Sequence, residues 1–182
     1  MKSARFITLE GVDGAGKSTH LQFIADAVAA ASGRHAIVTR EPGGTDLAEH
    51  LRRTILEEPM DAMAETLLIF AARAHHVRKV IVPALDAGSW VVCDRFLDAT
   101  YAYQGAGKGV PLELIERLAR RGQALARHFV GAVEDEGAVR PQARMCRLRE
   151  PLDEIGGNAL ARALVGVRGV VKAVADHPAA AF

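Results

Sequence analysis

Apolar positions fall in two alternating rhythms along the first two-thirds of the chain. Arg5-Phe6-Ile7-Thr8-Leu9-Glu10 is a short run of strand length. A helix-forming stretch follows from Lys17 to about Ser32-Gly33, where glycine suits a C-cap. A second strand is predicted over His35–Arg40, with Ile37 and Val38 at its centre, broken at Glu41-Pro42-Gly43-Gly44. A helix is expected from about Thr45 to Glu57, stopped by Pro59. A longer helical stretch runs from about Asp61 to Ala87. There Leu67, Leu68 and Phe70 through Ala74 fit one buried face, and Pro83 should bend or split the helix. The third strand, Ser89–Asp94, holds the wholly apolar run Trp90-Val91-Val92-Cys93, as in a parallel sheet covered on both faces. Gly105–Gly109 reads as a loop, and Pro111–Arg121 opens another helix.

Strands alternating with helices imply an α/β fold, a three-layer doubly wound parallel sheet. Past Gly122 the pattern weakens. Two more strands would be sought at Phe129–Val133 and Leu164–Val174, but the first is weak and contains Gly131, and the second is interrupted by Gly166, Arg168, Gly169 and Lys172. Between them, Glu134–Gly156 is rich in Arg and acidic residues, without clear periodicity. No repeat or linker marks a second domain, so residues 1–182 read as one unit whose last third is atypical.

Length and composition narrow the class. The 182 residues, 49% hydrophobic, suffice for one α/β domain with a sizeable core. The net charge of +1 gives no reason to expect nucleic acid or a membrane surface as partner. Cys93 and Cys146 stand far apart in no metal-ligand spacing and read as reduced thiols of a cytoplasmic protein. The N-terminus enters a strand within five residues, so no signal peptide is expected, and no apolar stretch approaches bilayer length.

Residues 11–18 carry the strongest chemistry. Gly11-Val12-Asp13-Gly14-Ala15-Gly16-Lys17-Ser18 follows the first strand and leads into a helix. The glycines let backbone N–H groups converge on phosphate oxygens, and the helix adds the positive end of its dipole. Lys17 supplies a mobile charge for the outer phosphates, and the Ser18 hydroxyl can hold Mg²⁺. The chain therefore reads as a nucleoside-triphosphate binder.

Four clusters accompany the loop. Thr39-Arg40-Glu41-Pro42-Gly43-Gly44-Thr45 ends the second strand, at the sheet edge where ligands bind in open parallel sheets. Arg40 there can clamp a phosphate, although an ordinary turn with a surface arginine fits as well. Phe70 and Arg73, three apart, share a helix face and suit stacking and edge recognition of a base, although taken alone they read more readily as a core phenylalanine and a solvated arginine. Asp94-Arg95-Phe96 ends the third strand, where a carboxylate can serve Mg²⁺ and an arginine a phosphate. Thr100-Tyr101-Ala102-Tyr103-Gln104-Gly105 offers groups for a sugar and base, or a buried aromatic beside a loop. His75-His76 reads as a solvated helix pair.

Together and in this order, Phe6–Thr19, Thr39–Thr45, Leu47-Ala48 with Leu51-Arg52, Phe70–Arg73, Val82–Leu85, Asp94-Arg95 and Ala102–Gly105 resemble the thymidylate kinase family over about residues 5–120. The resemblance implies a P-loop kinase fold and transfer of the ATP γ-phosphoryl to dTMP, with Mg²⁺. It implies Gly11, Val12, Asp13, Gly14, Ala15, Gly16, Lys17, Ser18 and Thr19 as the ATP site, and Asp13 facing the acceptor's 3′-hydroxyl and phosphate region. Arg40, Phe70, Arg73, Arg95, Tyr103 and Gln104 would hold dTMP, with Phe70 stacked on thymine, Arg73 on its edge and Arg95 on the phosphate. Ser18 and Asp94 would serve the metal, and Lys17, Asp13, Arg95 and Asp94 the chemistry. A homodimer is the assembly common in the family.

One departure concerns the catalytic arginine. The family supplies such an arginine either inside the loop or from a later lid; Asp13-Gly14-Ala15 carries none, so the resemblance implies that the lid supplies it, with Arg140, Arg144, Arg147 and Arg149 in the corresponding region. The strand that should precede them is missing, and a change of reading frame near Gly122 or a divergent last third would each leave this pattern. A kinase for another nucleoside monophosphate, or a nucleotide-binding remnant without turnover, are the competing functions.

Overall fold

A computed structural model of the chain describes residues 5–11, 17–124 and 170–176. Four strands and six α-helices are described: β1 (Arg5–Glu10), α1 (Lys17–Ser32), β2 (Ala36–Arg40), α2 (Asp46–Glu57), α3 (Ala62–His76), α4 (Val82–Asp86), β3 (Trp90–Asp94), α5 (Leu97–Thr100), α6 (Leu112–Ala124) and β4 (Val170–Asp176). The sheet order is β2-β3-β1-β4. β1 and β2 both run parallel to β3, and Asp94 stands in register with Leu9 on one side and Arg40 on the other. The carboxyl ends of the three strands therefore finish level, at one edge.

Alternation along the strands builds two core layers. Phe6, Val91 and Cys93 pack with Val77, Ile81, Leu85 and Phe96 on one face. Ile7, Leu9, Trp90 and Val92 pack with Leu21, Ile24 and Val28 of α1 on the other. Two-sided burial explains why these runs are apolar at consecutive positions, and it makes the molecule a three-layer α/β structure. A third cluster joins Phe70 to Val110, Ile115 and Ala119 of the α6 region.

Local chemistry sets the helix ends. α1 stops before Gly33, whose φ of 72° lies in the left-handed region and whose N–H reaches the Ala29 carbonyl at 2.9 Å. The Thr45 hydroxyl caps α2 by accepting from the Ala48 N–H, and the Asp61 carboxylate caps α3 through the Met63 and Ala64 N–H groups.

Three expectations need correction. The 61–87 stretch divides earlier than Pro83: residues Val77–Ile81 form a wide π-type turn, with the Val82 N–H bonding the Val77 carbonyl five residues back. Pro83 then sits in the first turn of α4, where its missing N–H costs nothing. Residues 105–107 are not loop but the end of a second π-type segment, Tyr101–Gly107; Gly105 is buried there, and a Cβ would meet Leu112 Cδ2 at 2.8 Å. Ile37 and Val38 do sit at the centre of β2, and because β2 lies at the end of the described sheet they remain 38% and 43% exposed. β4 overlaps the expected Leu164–Val174 strand but pairs antiparallel to β1, because an apolar pattern carries no information on strand direction. The expected strand Phe129–Val133 lies outside the described residues. Among the described residues no helix is long and apolar enough to cross a membrane.

Candidate active site

The site begins where β1 ends. Lys17 opens α1, and its Nζ donates to the Gly11 carbonyl at 3.0 Å, so the two ends of the glycine-rich segment close on each other. Val12, Asp13, Gly14, Ala15 and Gly16 lie outside the described residues. Ser18 and Thr19 are exposed on the first turn of α1, at the helix end that carries positive potential.

At the end of β2 the chain turns through a cis Glu41-Pro42 bond. Gly44, at φ 80°, is required here: a Cβ would stand 2.5 Å from Thr39 Oγ1 and 2.6 Å from His76 Nε2. Glu41 is the centre of a buried network. Its Oε2 accepts from Arg73 Nε at 2.6 Å, and its Oε1 lies 3.0 Å from His76 Nδ1. His76 Nε2 in turn lies 2.7 Å from Thr39 Oγ1. His75-His76 is thus not a solvated pair: His76 is fully buried on Glu41, and His75 Nδ1 lies 2.9 Å from Thr45 Oγ1. Their sequence neighbours are mostly small or apolar, and only the fold supplies these partners. Arg40, by contrast, is exposed and pairs with Glu49 at 2.8 Å. The shared hydrogen bond raises the Arg40 pKa and lowers that of Glu49. Arg52 donates to the Pro42 carbonyl at 3.0 Å, which ties α2 to the same turn.

Arg73 joins this turn to the end of β3. Its NH2 donates to the Phe96 carbonyl at 3.0 Å and to Thr100 Oγ1 at 2.9 Å. The guanidinium carbon lies 5.0 Å from the Phe70 ring centroid and 5.2 Å from that of Phe96. NH1 is buried without a hydrogen-bond partner among the described residues. Arg73 is therefore a buried, three-sided clamp, and Phe70 beside it is 9% exposed.

Asp94, Arg95 and Phe96 complete the edge. The Asp94 carbonyl accepts from the Glu41 N–H at 2.9 Å, so the β2 and β3 turns are bonded to each other. Asp94 Oδ1 is buried and unpaired among the described residues. Arg95 holds φ 66°, the one non-glycine residue described with positive φ. Its N–H donates to the Leu9 carbonyl at 2.9 Å, and the next N–H, of Phe96, donates to Glu10 Oε1 at 2.8 Å. Burial, with help from Asp98, pushes the Glu10 carboxyl up to about 7. The Arg95 guanidinium lies over the exposed Tyr103 ring, 5.1 Å from its centroid. Gln104 is buried instead, donating to Glu65 Oε1 at 2.7 Å, and Lys108 pairs with the other Glu65 oxygen.

The structure thus brings Arg40, Arg73, Asp94, Arg95 and Tyr103 to the carboxyl edge beside Gly11 and Lys17. It turns Gln104 inward, onto Glu65. Glu10, Glu41, Glu65 and Thr100 hold these groups; Glu41 and Thr100 stand inside clusters named from the sequence but carry no role there, and Glu10 and Glu65 stand outside them. The available signal was a carboxylate ending an apolar strand at Glu10 and one before a proline at Glu41. Among the described residues no three His, Cys, Asp or Glu side chains group as a metal site.

Comparison with known proteins shows which family the chain is similar to. The family model for thymidylate kinase matches residues 9–124. The thymidylate kinase of Burkholderia ambifaria (strain MC40-6) is 57% identical over 123 residues, 66% of this chain and 60% of that protein. The thymidylate kinase of Burkholderia cenocepacia (strain HI2424) is 56% identical over the same length and the same shares. A crystal structure of thymidylate kinase from Ehrlichia chaffeensis is similar with a TM-score of 0.61 and 41% identity, covering 64% of this chain and 67% of that one. The chain spans about 60% of the length of the curated relatives it matches.

Proposed function

The chain belongs to the thymidylate kinase family, and from that premise we propose that it phosphorylates dTMP to dTDP with ATP, as a cytoplasmic, Mg²⁺-dependent enzyme. An oxygen of the dTMP phosphate attacks the ATP γ-phosphorus, and the bond from that phosphorus to the β,γ-bridging oxygen breaks to leave ADP. Such a transfer needs positioning and charge neutralisation more than covalent chemistry. Gly11 through Thr19 bind the ATP phosphates, with Lys17 moving from the Gly11 carbonyl to the outer phosphates. Arg95 and Arg40 take the dTMP phosphate, Phe70 and Arg73 the thymine, Tyr103 the sugar and base. Gln104 acts through Glu65 and the backbone of its segment. Asp13 faces the acceptor's sugar and phosphate.

The observation that carries this reading is the bonding of Glu41, Arg73, Asp94 and Arg95 into one turn cluster beside the Gly11–Lys17 closure. It supports a reading in which Arg95 meets the acceptor phosphate next to the donor loop, while Arg73 stays held by Glu41. The residues also suit the metal. A buried Asp94 oxygen without a partner among the described residues is the hard, anionic donor that Mg²⁺ or its water shell takes, and Ser18 is an exposed hydroxyl at the helix start. Bound there with ATP, Mg²⁺ would neutralise phosphate charge. The lid arginine is sought among Arg140, Arg144, Arg147 and Arg149, which lie outside the described residues.

The test is ADP release from ATP with dTMP, dUMP, dCMP or dGMP as acceptor. A clear preference for dTMP is expected. Preference for a purine acceptor would sink the thymidylate assignment. ATP binding without acceptor-dependent ADP release would favour a nucleotide-binding protein without turnover.

A further inference from the structure

We propose that Glu10 is a positioning residue, whose carboxyl oxygen holds the Arg95 backbone in its left-handed conformation and so sets where the Arg95 guanidinium stands. Four observations converge. First, an arginine at φ 66° is disfavoured, because its Cβ crowds the following carbonyl. Something must hold it there. Second, the hydrogen bonds on either side of the Arg95 α-carbon both run to β1. The Arg95 N–H goes to the Leu9 carbonyl at 2.9 Å and the Phe96 N–H to Glu10 Oε1 at 2.8 Å. The first is ordinary strand-end bonding. The second runs to a side chain, at the point where the chain leaves the parallel ladder. Third, Glu10 is 9% exposed and ends a strand whose other side chains are mostly apolar or small, so burying a carboxyl there needs a compensating bond. The same bond that satisfies the buried carboxyl offsets the strain at Arg95. Fourth, the result is a defined place for the guanidinium, above the Tyr103 ring at 5.1 Å.

The position of Glu10 gives this hold a functional direction. It immediately precedes Gly11, whose carbonyl receives Lys17, so one residue links the entry of the donor loop to the turn that carries Arg95. Glu10 itself bonds to backbone and is not assigned to substrate. Its carboxyl titrates near neutral pH, pushed up to about 7 by burial, so a neutral carbonyl oxygen at the same point should serve as acceptor.

That makes three substitutions informative in the full chain. Glu10→Gln keeps an oxygen at the same reach. Glu10→Asp keeps the carboxyl but withdraws the oxygen by one methylene. Glu10→Leu removes the acceptor. The first readout, independent of any activity, is hydrogen exchange at the Phe96 amide. Protection should persist in Glu10→Gln and fall about tenfold or more in Glu10→Asp and Glu10→Leu. The second rests on the dTMP kinase reading. The KM for dTMP should rise about tenfold in Glu10→Asp and stay within about threefold in Glu10→Gln, with KM for ATP little changed in both. If Glu10→Leu fails to fold, the Gln and Asp pair still decides. Equal protection in Asp and Gln variants, or equal loss in both, overturns the inference. A wild-type chain that does not use dTMP overturns the functional reading alone, and the exchange measurement then stands by itself.

Discussion

Glu41 and Arg73, 32 residues apart in sequence, meet Oε2 to Nε at 2.6 Å with side chains only 2% and 7% exposed. The pair ties the turn after β2 to α3, and through the Arg73 NH2 to the Phe96 carbonyl it reaches the turn after β3. Removing one partner of a buried ion pair strands the other charge. Glu41→Ala should therefore lower the unfolding free energy by about 3–5 kcal/mol. Glu49→Ala, which breaks the exposed Arg40 pair, should cost at most about 1 kcal/mol. Urea denaturation of both variants checks the contrast. Similar costs would mean that burial does not set the worth of these pairs.

Glu10 makes stability depend on pH. Its carboxyl titrates at about 7 in the folded chain, against an ordinary value of 4.5, so between these values the folded chain holds a proton that the unfolded chain has released. The stabilisation is fully present below pH 4.5 and is lost as the pH rises through 7. The full shift is worth about 3 kcal/mol. Glu49, whose pKa is lowered by Arg40, acts in the opposite sense and only below 4.5, so the windows separate. Between pH 4.5 and 7 the wild type should lose stability relative to Glu10→Gln. Parallel curves for the two proteins in that window would refute the shift.

What could be read from the chain follows the range of the interactions involved. β1, α1 and β3 were legible nearly to the residue, because apolar runs, a phosphate-loop glycine pattern and a C-cap glycine are local signals. The carboxyl-edge placement of Arg40, Asp94 and Arg95 followed from the same pattern once the sheet was parallel. The buried charges were not legible. Glu41 finds His76 35 residues away and Glu10 finds Phe96 86 residues away, and no local rule marks a charged side chain as buried. For the same reason His75-His76 looked solvated and Gln104 looked free to meet a ligand. β4 shows the limit from the other side, since the two-residue alternation that reveals a strand is identical in both directions.

Glu65 links α3 to the segment that carries Tyr103. It accepts from Gln104 Nε2 at 2.7 Å and pairs with Lys108, and it is only 8% exposed. Gln104→Leu removes one donor from a buried carboxylate and should destabilise the fold by about 1–3 kcal/mol. If the segment positions Tyr103 under Arg95, KM for dTMP should rise in the same variant. Thermal unfolding and acceptor titration together test it; loss of stability with an unchanged KM would confine the Glu65 network to folding.

Lys17 separates catalysis from stability most cleanly. Its Nζ donates to the Gly11 carbonyl at 3.0 Å, a part-buried bond worth about 1 kcal/mol, so Lys17→Ala should change the melting temperature by only a few degrees. The charge itself is a different matter. In the proposed reaction it stands beside phosphate oxygens that gain charge during transfer, where a preorganised cation contributes far more than in water. Lys17→Ala should lower kcat roughly 10³-fold or more. Lys17→Arg keeps a charge but replaces a compact ammonium by a planar fork, and it should recover only part of that loss. Single-turnover ADP formation at saturating ATP and dTMP measures the step directly. Near-normal turnover in a folded Lys17→Ala protein would remove the donor loop from the mechanism.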